Sequence, residues 1–399
     1  MTLVSRLFAF LGALPRPVRV SAYLFFAASL ADGVLMPFFA IWAVREAGVP
    51  VAAVGLLLGC YAAGELVATP VVGGLSDRLG RRPVLILSTL GVGLGFLILY
   101  RSHGTLAAAA ALLTIGLFEN VLHPTAMAVV ADVVPPAELR SHYGLNRMAS
   151  SVGSVIGPAL GSLLVLWSLS AVFLAASMTL LSATIVVALG LRETHVSGAQ
   201  GEDDDEITAL GAVFRDRRLA AILAPLAVIQ IATSWIEAVL PLAATQGGAL
   251  TLSGVGWLFA YAGLVEVIFQ MPVLRLCKDT AGSRMVMIAG TILVLAFGAL
   301  AFVPGLPGFI LAATGFAFAD ILISPMVQAV VMEIASEEAR GTYSAALSVV
   351  SDLKDAAGPA LGTPLFALAA GLPWLVGLGL TIVATSGLAF GLRRHEART

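Results

Sequence analysis

Twelve times along this chain, an apolar run long enough to cross a bilayer gives way to a short polar connection. Crossing the hydrocarbon takes about 20 predominantly apolar residues. Runs of that kind lie at about 20–44, 52–75, 84–100, 106–134, 142–167 and 170–191. They resume at about 219–244, 253–274, 285–303, 308–335, 341–370 and 373–392. Only 12% of the 399 residues are charged, against about 25% in soluble domains. With no water at that depth to satisfy backbone groups, runs of this length must be helices. The pattern predicts an all-α membrane protein with 12 transmembrane helices.

The runs fall into six, a break, and six. The break, RETHVSGAQGEDDDEITALGAVFRDRR, carries the acidic run 202–206 and reads as a solvated linker. The expected parts are therefore 1–192, a six-helix bundle; 193–218, a cytoplasmic linker; and 219–399, a second six-helix bundle. The opening MTLVSRLFAFLGALPRPVRV has a short apolar core but no small-residue cleavage site. It reads as a retained segment along the membrane surface. With the N-terminus inside, 18 of the 22 Lys and Arg fall on the cytoplasmic side and only Arg45 and Arg101 outside. That bias predicts cytoplasmic termini at both ends, in a bacterial inner (plasma) membrane.

The two halves echo one another. GPALG stands at 157–161 and again at 358–362. TPVVGGLSDRLGRRPV (69–84) matches MPVLRLCKDTAGSRMV (271–286) at Pro70/Pro272, Val71/Val273, Asp77/Asp279, Gly80/Gly282, Arg82/Arg284 and Val84/Val286. ENVLHPTAMAVVAD (119–132) and DILISPMVQAVVME (320–333) share an acid five residues before proline, then AVV and a further acid. Three matches in order across corresponding runs imply two homologous bundles, a transporter architecture.

The loop GGLSDRLGRRPVL resembles the signature of the major facilitator superfamily. GSVIGPALG (153–161) is similar to the Gly-x-x-x-Gly-Pro-x-x-Gly motif of its drug-antiporter type. The resemblance covers the whole chain, including the degraded loop copy CKDTAGSR. It implies two homologous six-helix bundles around a central cavity, usually in a monomer. It also implies a conformational latch of Gly73, Asp77, Arg78, Gly80, Arg81 and Arg82, with Arg81 pairing to Asp132 at the inner end of span 4. Gly153, Gly157, Pro158 and Gly161 would form the antiporter motif, where the bundles seal during turnover. Read without the family, that stripe lets another helix approach closely, and the arginines enforce topology. One departure stands out: relatives carry an arginine in the outer half of span 4, where this chain has Leu112.

Eight acids fall inside spans: Asp32, Glu65, Glu119, Glu237, Glu266, Asp320, Asp352 and Asp355. Only Arg147 and Lys354 could offset them there. Each unpaired charge costs at least about 2.5–3.5 kcal/mol at mid-membrane, so most must face water or hold a proton. Asp32/Pro37, Glu119/Pro124, Glu237/Pro241 and Asp320/Pro325 place an acid just before a proline in spans 1, 4, 7 and 10. In the family these spans line the cavity. Asp32, Glu119, Glu237 and Asp320, with Arg147 as a pairing cation, are the candidate proton-coupling groups, Asp32 first. Asp352, Lys354 and Asp355 form either a neutralised cluster or a coupling element. His123 is either a titratable cavity group or a hydrogen-bonded wall residue. Phe38, His123, Trp235, Tyr261 and Gln270 are the candidates for touching substrate.

No Gly-x-x-x-x-Gly-Lys-Ser/Thr loop is present, so nucleotide is not the expected energy source. No catalytic pair, cofactor motif or metal-ligand spacing occurs, and two cysteines make no disulfide framework. A net charge of −2 argues against nucleic acid. The expected partners are protons, a small-molecule substrate and membrane lipids. The expected function is proton-coupled export of small amphipathic compounds or drugs by alternating access. A proton-coupled importer of a small organic solute, or a lipid flippase, on the same fold is the alternative.

Overall fold

The computed structural model describes residues 14–102, 104–193, 216–335 and 340–397, with side chains except at 69–78, 136, 137, 140, 217, 340, 341, 344 and 395. The side chains of Gly73, Asp77 and Arg78, the first 13 residues and most of the linker thus lie outside the described residues. Everything regular among the described residues is helix. The helices are α1 (Arg16–Arg45), α2 (Val51–Leu79), α3 (Arg81–Arg101), α4 (Thr105–Val133), α5 (Pro136–Leu164) and α6 (Ala171–Gly190). After the linker come α7 (Arg217–Thr233), α8 (Trp235–Ala238), α9 (Leu240–Gln246), α10 (Leu252–Leu276) and α11 (Gly282–Phe302). Last are α12 (Leu306–Ile334), α13 (Arg340–Leu368) and α14 (Leu372–Glu396).

Each expected span is a helix, and the seventh is three pieces, α7 to α9. Its interruptions have local causes. Ser234 Oγ turns back onto the Ile231 carbonyl at 2.8 Å, competing with the helical ladder. Pro241 has no N–H to offer the carbonyl of Glu237. Among the described residues, ten spans are apolar enough to cross a membrane by length and composition. The other two, α5 and α13, are 29 residues each and carry the polar side chains discussed below.

Packing divides the chain into two compact units. One holds α3 to α6 with α1 up to Leu35 and α2 from Cys60; the other holds α7 to α14 with Met36–Gly59. In the second unit, the start of α2 lies against α13. The Gly55 N–H donates to Thr363 Oγ1 at 3.0 Å, and a methyl at Gly55 would overlap the Pro359 carbonyl.

Small residues set the helix crossings in both units. In the first, a Cβ at Gly157 would stand 2.7 Å from the Leu30 carbonyl and 2.8 Å from Gly33 Cα, and one at Gly153 would stand 2.6 Å from the Phe26 carbonyl. Gly153 and Gly157 therefore lie directly on α1, and Gly161 is buried one turn further on. Asn146 Nδ2 donates to Ser21 Oγ at 3.0 Å, and Ser21 Oγ donates to the Ala126 carbonyl at 3.0 Å. This relay ties α5 to α1 and α4. In the second unit the equivalent crossing is Gly358 on Ser234 and Gly362 on Trp235, closed by Trp235 Nε1 donating to the Gly358 carbonyl at 2.8 Å.

The crossing of α1 and α5 makes a clear expectation for stability. Gly157→Val or Gly33→Val should each cost about 1–3 kcal/mol through overpacking. Gly59→Ala, with nothing within 4 Å of its Cβ, should be neutral or slightly stabilising. Thermal unfolding of the purified protein in detergent reads all three. Unchanged melting of Gly157→Val would mean that α1 and α5 do not meet this closely.

Candidate functional site

In the first unit, α2 and α4 cross with a glycine from each side. Gly64 lies on the Leu113 carbonyl and Gly116 on the Tyr61 carbonyl. That approach puts Tyr61 and Glu65, one helical turn apart on α2, beside Glu119 and Asn120 on α4. Tyr61 Oη donates to Glu119 Oε2 at 3.3 Å, and Asn120 Nδ2 donates to the Glu65 carbonyl at 2.9 Å. Glu119 is only 7% exposed. The charged groups acting on it are Asp32 of α1 and Glu65, and Asp32 lies within hydrogen-bonding reach of it. Three helices thus converge on a carboxyl–carboxyl–phenol cluster.

The second unit treats its acids differently. Lys354 Nζ on α13 lies 3.1 Å from Asp355 Oδ1 and 3.8 Å from Glu237 Oε1 of α8. Asp320 of α12 also acts on Lys354, and it accepts a hydrogen bond from Ser324 Oγ at 2.6 Å. The repeat now has a structural register: Gly33 lies on Gly157 as Ser234 lies on Gly358. In that register Thr233, not Glu237, corresponds to Asp32, and Lys354 corresponds to Gly153. The acid-before-proline pattern had paired Asp32 with Glu237, but Glu237 stands one turn further along.

The remaining candidates fall in varied places. Phe38 and Trp235 are 0% and 1% exposed, enclosed by packing, so neither presents a face to a substrate in this conformation. Tyr261 is open and shares a hydrogen bond with Thr314 Oγ1 at 3.0 Å, and Gln270 is half-buried. His123 packs its ring edge-on against Phe25 with centroids 4.8 Å apart. Arg147 is exposed on α5 and makes no ion pair with a described acid.

At the end of the first unit where α2 meets α3, Gly80 turns the chain with φ 91°. The Arg81 Nε lies 3.4 Å from Asp132 Oδ2. The Arg82 guanidinium donates to the Ala188 carbonyl at 2.8 Å. The organiser is a residue the sequence reading did not single out. Glu193 accepts the backbone N–H groups of Arg81 and Arg82 at 2.9 and 3.2 Å, capping a helix that has no capping side chain of its own. A carboxylate is well suited to that end of a helix. Glu396 does the same in the second unit, accepting from Ser283 N at 2.8 Å and Ser283 Oγ at 2.7 Å. The signal was available: each six-span half ends in a basic residue closely followed by Glu.

The sequence family described as Major Facilitator Superfamily matches residues 22–359. The chain is 28% identical to the tetracycline resistance protein, class C, of Escherichia coli, over 84% of this chain and 87% of that one. It is 27% identical to multidrug resistance protein 2 of Bacillus subtilis, over 82% and 85%. Among solved structures, the nucleoside transporter NupG superposes with a TM-score of 0.79 at 12% identity, covering 94% of this chain and 98% of that one. A bacterial homolog of the human lysosomal transporter Spinster superposes with a TM-score of 0.78 at 14% identity, covering 94% and 96%.

The Lys354 cluster predicts an asymmetric double-mutant cycle. Lys354→Met leaves Glu237 and Asp355 without their cation and should lower the melting temperature. Adding Glu237→Gln should recover part of that loss, with a coupling of about 0.5–3 kcal/mol. Strict additivity of the two substitutions would show that the pair does not interact.

Proposed function

The chain belongs to the Major Facilitator Superfamily and is a multi-pass membrane transporter of small molecules, and from that premise we propose that it exports amphipathic drugs in exchange for protons. Relatives named for tetracycline resistance and multidrug resistance, aligned over four-fifths or more of the chain, support the export direction and this substrate class. The single observation that carries proton coupling is the buried contact of Asp32 with Glu119. With one proton the pair is a hydrogen-bonded acid and its partner. Without it, two carboxylates face each other beside Glu65, and like charges at that distance repel strongly. A cationic or polar group of the substrate relieves that repulsion as the proton does. Proton and substrate therefore compete for one cluster, which is the requirement for antiport.

In this proposal the termini and the linker 193–218 are cytoplasmic, and bundles 1–192 and 219–399 alternate access. An inward-moving proton gains about 2.3 kcal/mol per 100 mV, which drives export against a gradient. The Arg81–Asp132 pair and the Glu193 cap form the part of the latch that breaks and reforms. Tyr61 positions Glu119 through its hydroxyl. Glu237 and Asp320 act with Lys354 as the cation-containing counterpart in the second bundle.

The test is uptake of a tetracycline into inverted vesicles, driven by an imposed pH gradient. Wild type should accumulate it, a protonophore should abolish the accumulation, and a sodium gradient should not replace the proton gradient. Asp32→Asn and Glu119→Gln should each reduce gradient-driven transport at least about tenfold at equal expression. Substrate affinity of wild type should fall as pH falls, because protons occupy the same cluster, and Glu119→Gln should flatten that dependence. If accumulation ignores the pH gradient, or if both variants keep wild-type pH dependence, the proton-coupled reading fails and an importer or a lipid flippase takes its place.

A further inference from the structure

A second site lies away from the acid cluster, at the end of the first unit where α1 begins and α6 ends. A cavity of about 280 Å³ there is lined by Arg16, Arg19 and Val20 of α1 and by Val186 and Gly190 of α6. One turn further along the helix pair, Tyr23 Oη and Ser182 Oγ share a hydrogen bond at 2.8 Å that ties α1 to α6. The cavity's outer end is kept open by Gly190, since even a methyl there would come within 3.0 Å of Val20 Cγ2.

The chemistry of this groove is one-sided. Arg16 and Arg19 are exposed and stand one turn apart on the same helix face. Neither makes an ion pair with a described residue. Arginine presents a planar fork that matches phosphate oxygens in a bidentate way. Below the arginines the walls are apolar. The outward face of α6 carries Leu189, Ile185 and Met178, which are 84%, 59% and 63% exposed. Their spacing of four and seven residues puts them on one stripe of the helix. A charged mouth above an apolar stripe, at the end of a membrane-spanning helix pair, matches a molecule with an anionic phosphate head and hydrocarbon tails. Free phosphate would use the arginines but leave the stripe without an occupant.

We propose that the groove between α1 and α6 is a binding site for an anionic phospholipid, its phosphate held by Arg16 and Arg19 and one acyl chain lying along Ile185 and Leu189. Basic pockets between transmembrane helices recognise lipid head groups in this way. The site touches neither the carboxyl cluster nor Lys354, so it stands whether or not the transport reading does. It adjoins the latch, because Glu193, which caps α3, follows Gly190 by three residues. A lipid seated here would steady the end of α6 from which that cap projects.

The experiment uses the purified full-length protein in a neutral detergent and follows thermal unfolding while phosphatidylglycerol, phosphatidylethanolamine or inorganic phosphate is added. Phosphatidylglycerol should raise the melting temperature of wild type, and the other two should not. Arg16→Gln/Arg19→Gln should need roughly ten to thirty times more phosphatidylglycerol for the same shift, the effect of losing two interfacial arginines. Val186→Trp, which fills the groove and leaves both charges in place, should lose the shift as well. Arg16→Lys/Arg19→Lys, keeping charge without the planar fork, should fall between. The proposal is overturned if inorganic phosphate reproduces the shift, if wild type shows no response to phosphatidylglycerol, or if Val186→Trp responds as wild type does.

Discussion

A carboxyl group at hydrocarbon depth has three options: it can meet a cation, reach water, or hold a proton. Much of this molecule is organised by which option each acid takes. Around Glu119 the charged neighbours, Asp32 and Glu65, have the same sign, and the hydroxyl of Tyr61 supplies the hydrogen bond. Around Glu237 a lysine supplies the opposite charge at 3.8 Å. In the proposed cycle the first arrangement responds to one proton, because its removal leaves like charges side by side. The second places a cation, Lys354, among its acids.

Neither arrangement could form at ordinary helix separations. Side chains as short as Asp and Glu reach one another across helices only where backbones come close, and glycine is what permits this. Gly64 and Gly116 bring α2 against α4, and Gly33 and Gly157 bring α1 against α5. Packing and chemistry are therefore the same problem here. A bulkier residue at a crossing moves the acids apart before it touches any of them.

The fold was largely legible in the sequence because its cause is one-dimensional. Apolar runs of sufficient length must be helices in a bilayer, and the GPALG echo fixed the repeat. The acids at Asp32, Glu119, Glu237 and Asp320 were legible for the same reason, since charge inside such a run is conspicuous. What the sequence hid was which groups meet. Tyr61 and Asn120 are unremarkable within their runs and gain meaning only from the α2–α4 crossing. Trp235 and Phe38 are among the groups expected to touch substrate, and in this conformation Trp235 packs against Gly362 and Phe38 is enclosed. Glu193 lay just after a run, where an acid looks like ordinary loop polarity, and its role comes from an uncapped helix more than a hundred residues earlier.

Comparing the two halves separates what holds the molecule up from what makes it work. The capping acids Glu193 and Glu396 and the two GPALG segments occur one in each unit and make equivalent contacts. They answer demands that any such bundle has: a satisfied helix terminus and a close crossing. Where the halves diverge, charge is what changes. In the repeat Asp32 corresponds to Thr233 and Gly153 to Lys354, and at the loop match Arg81 corresponds to Ser283. A symmetric pair of bundles with identical charge would respond identically to a proton on either side. The first unit gathers Asp32 and Glu65 about Glu119, and the second sets Lys354 among Glu237, Asp320 and Asp355. In the proposed antiport, that asymmetry lets a proton on the first unit do work that its counterpart does not cancel.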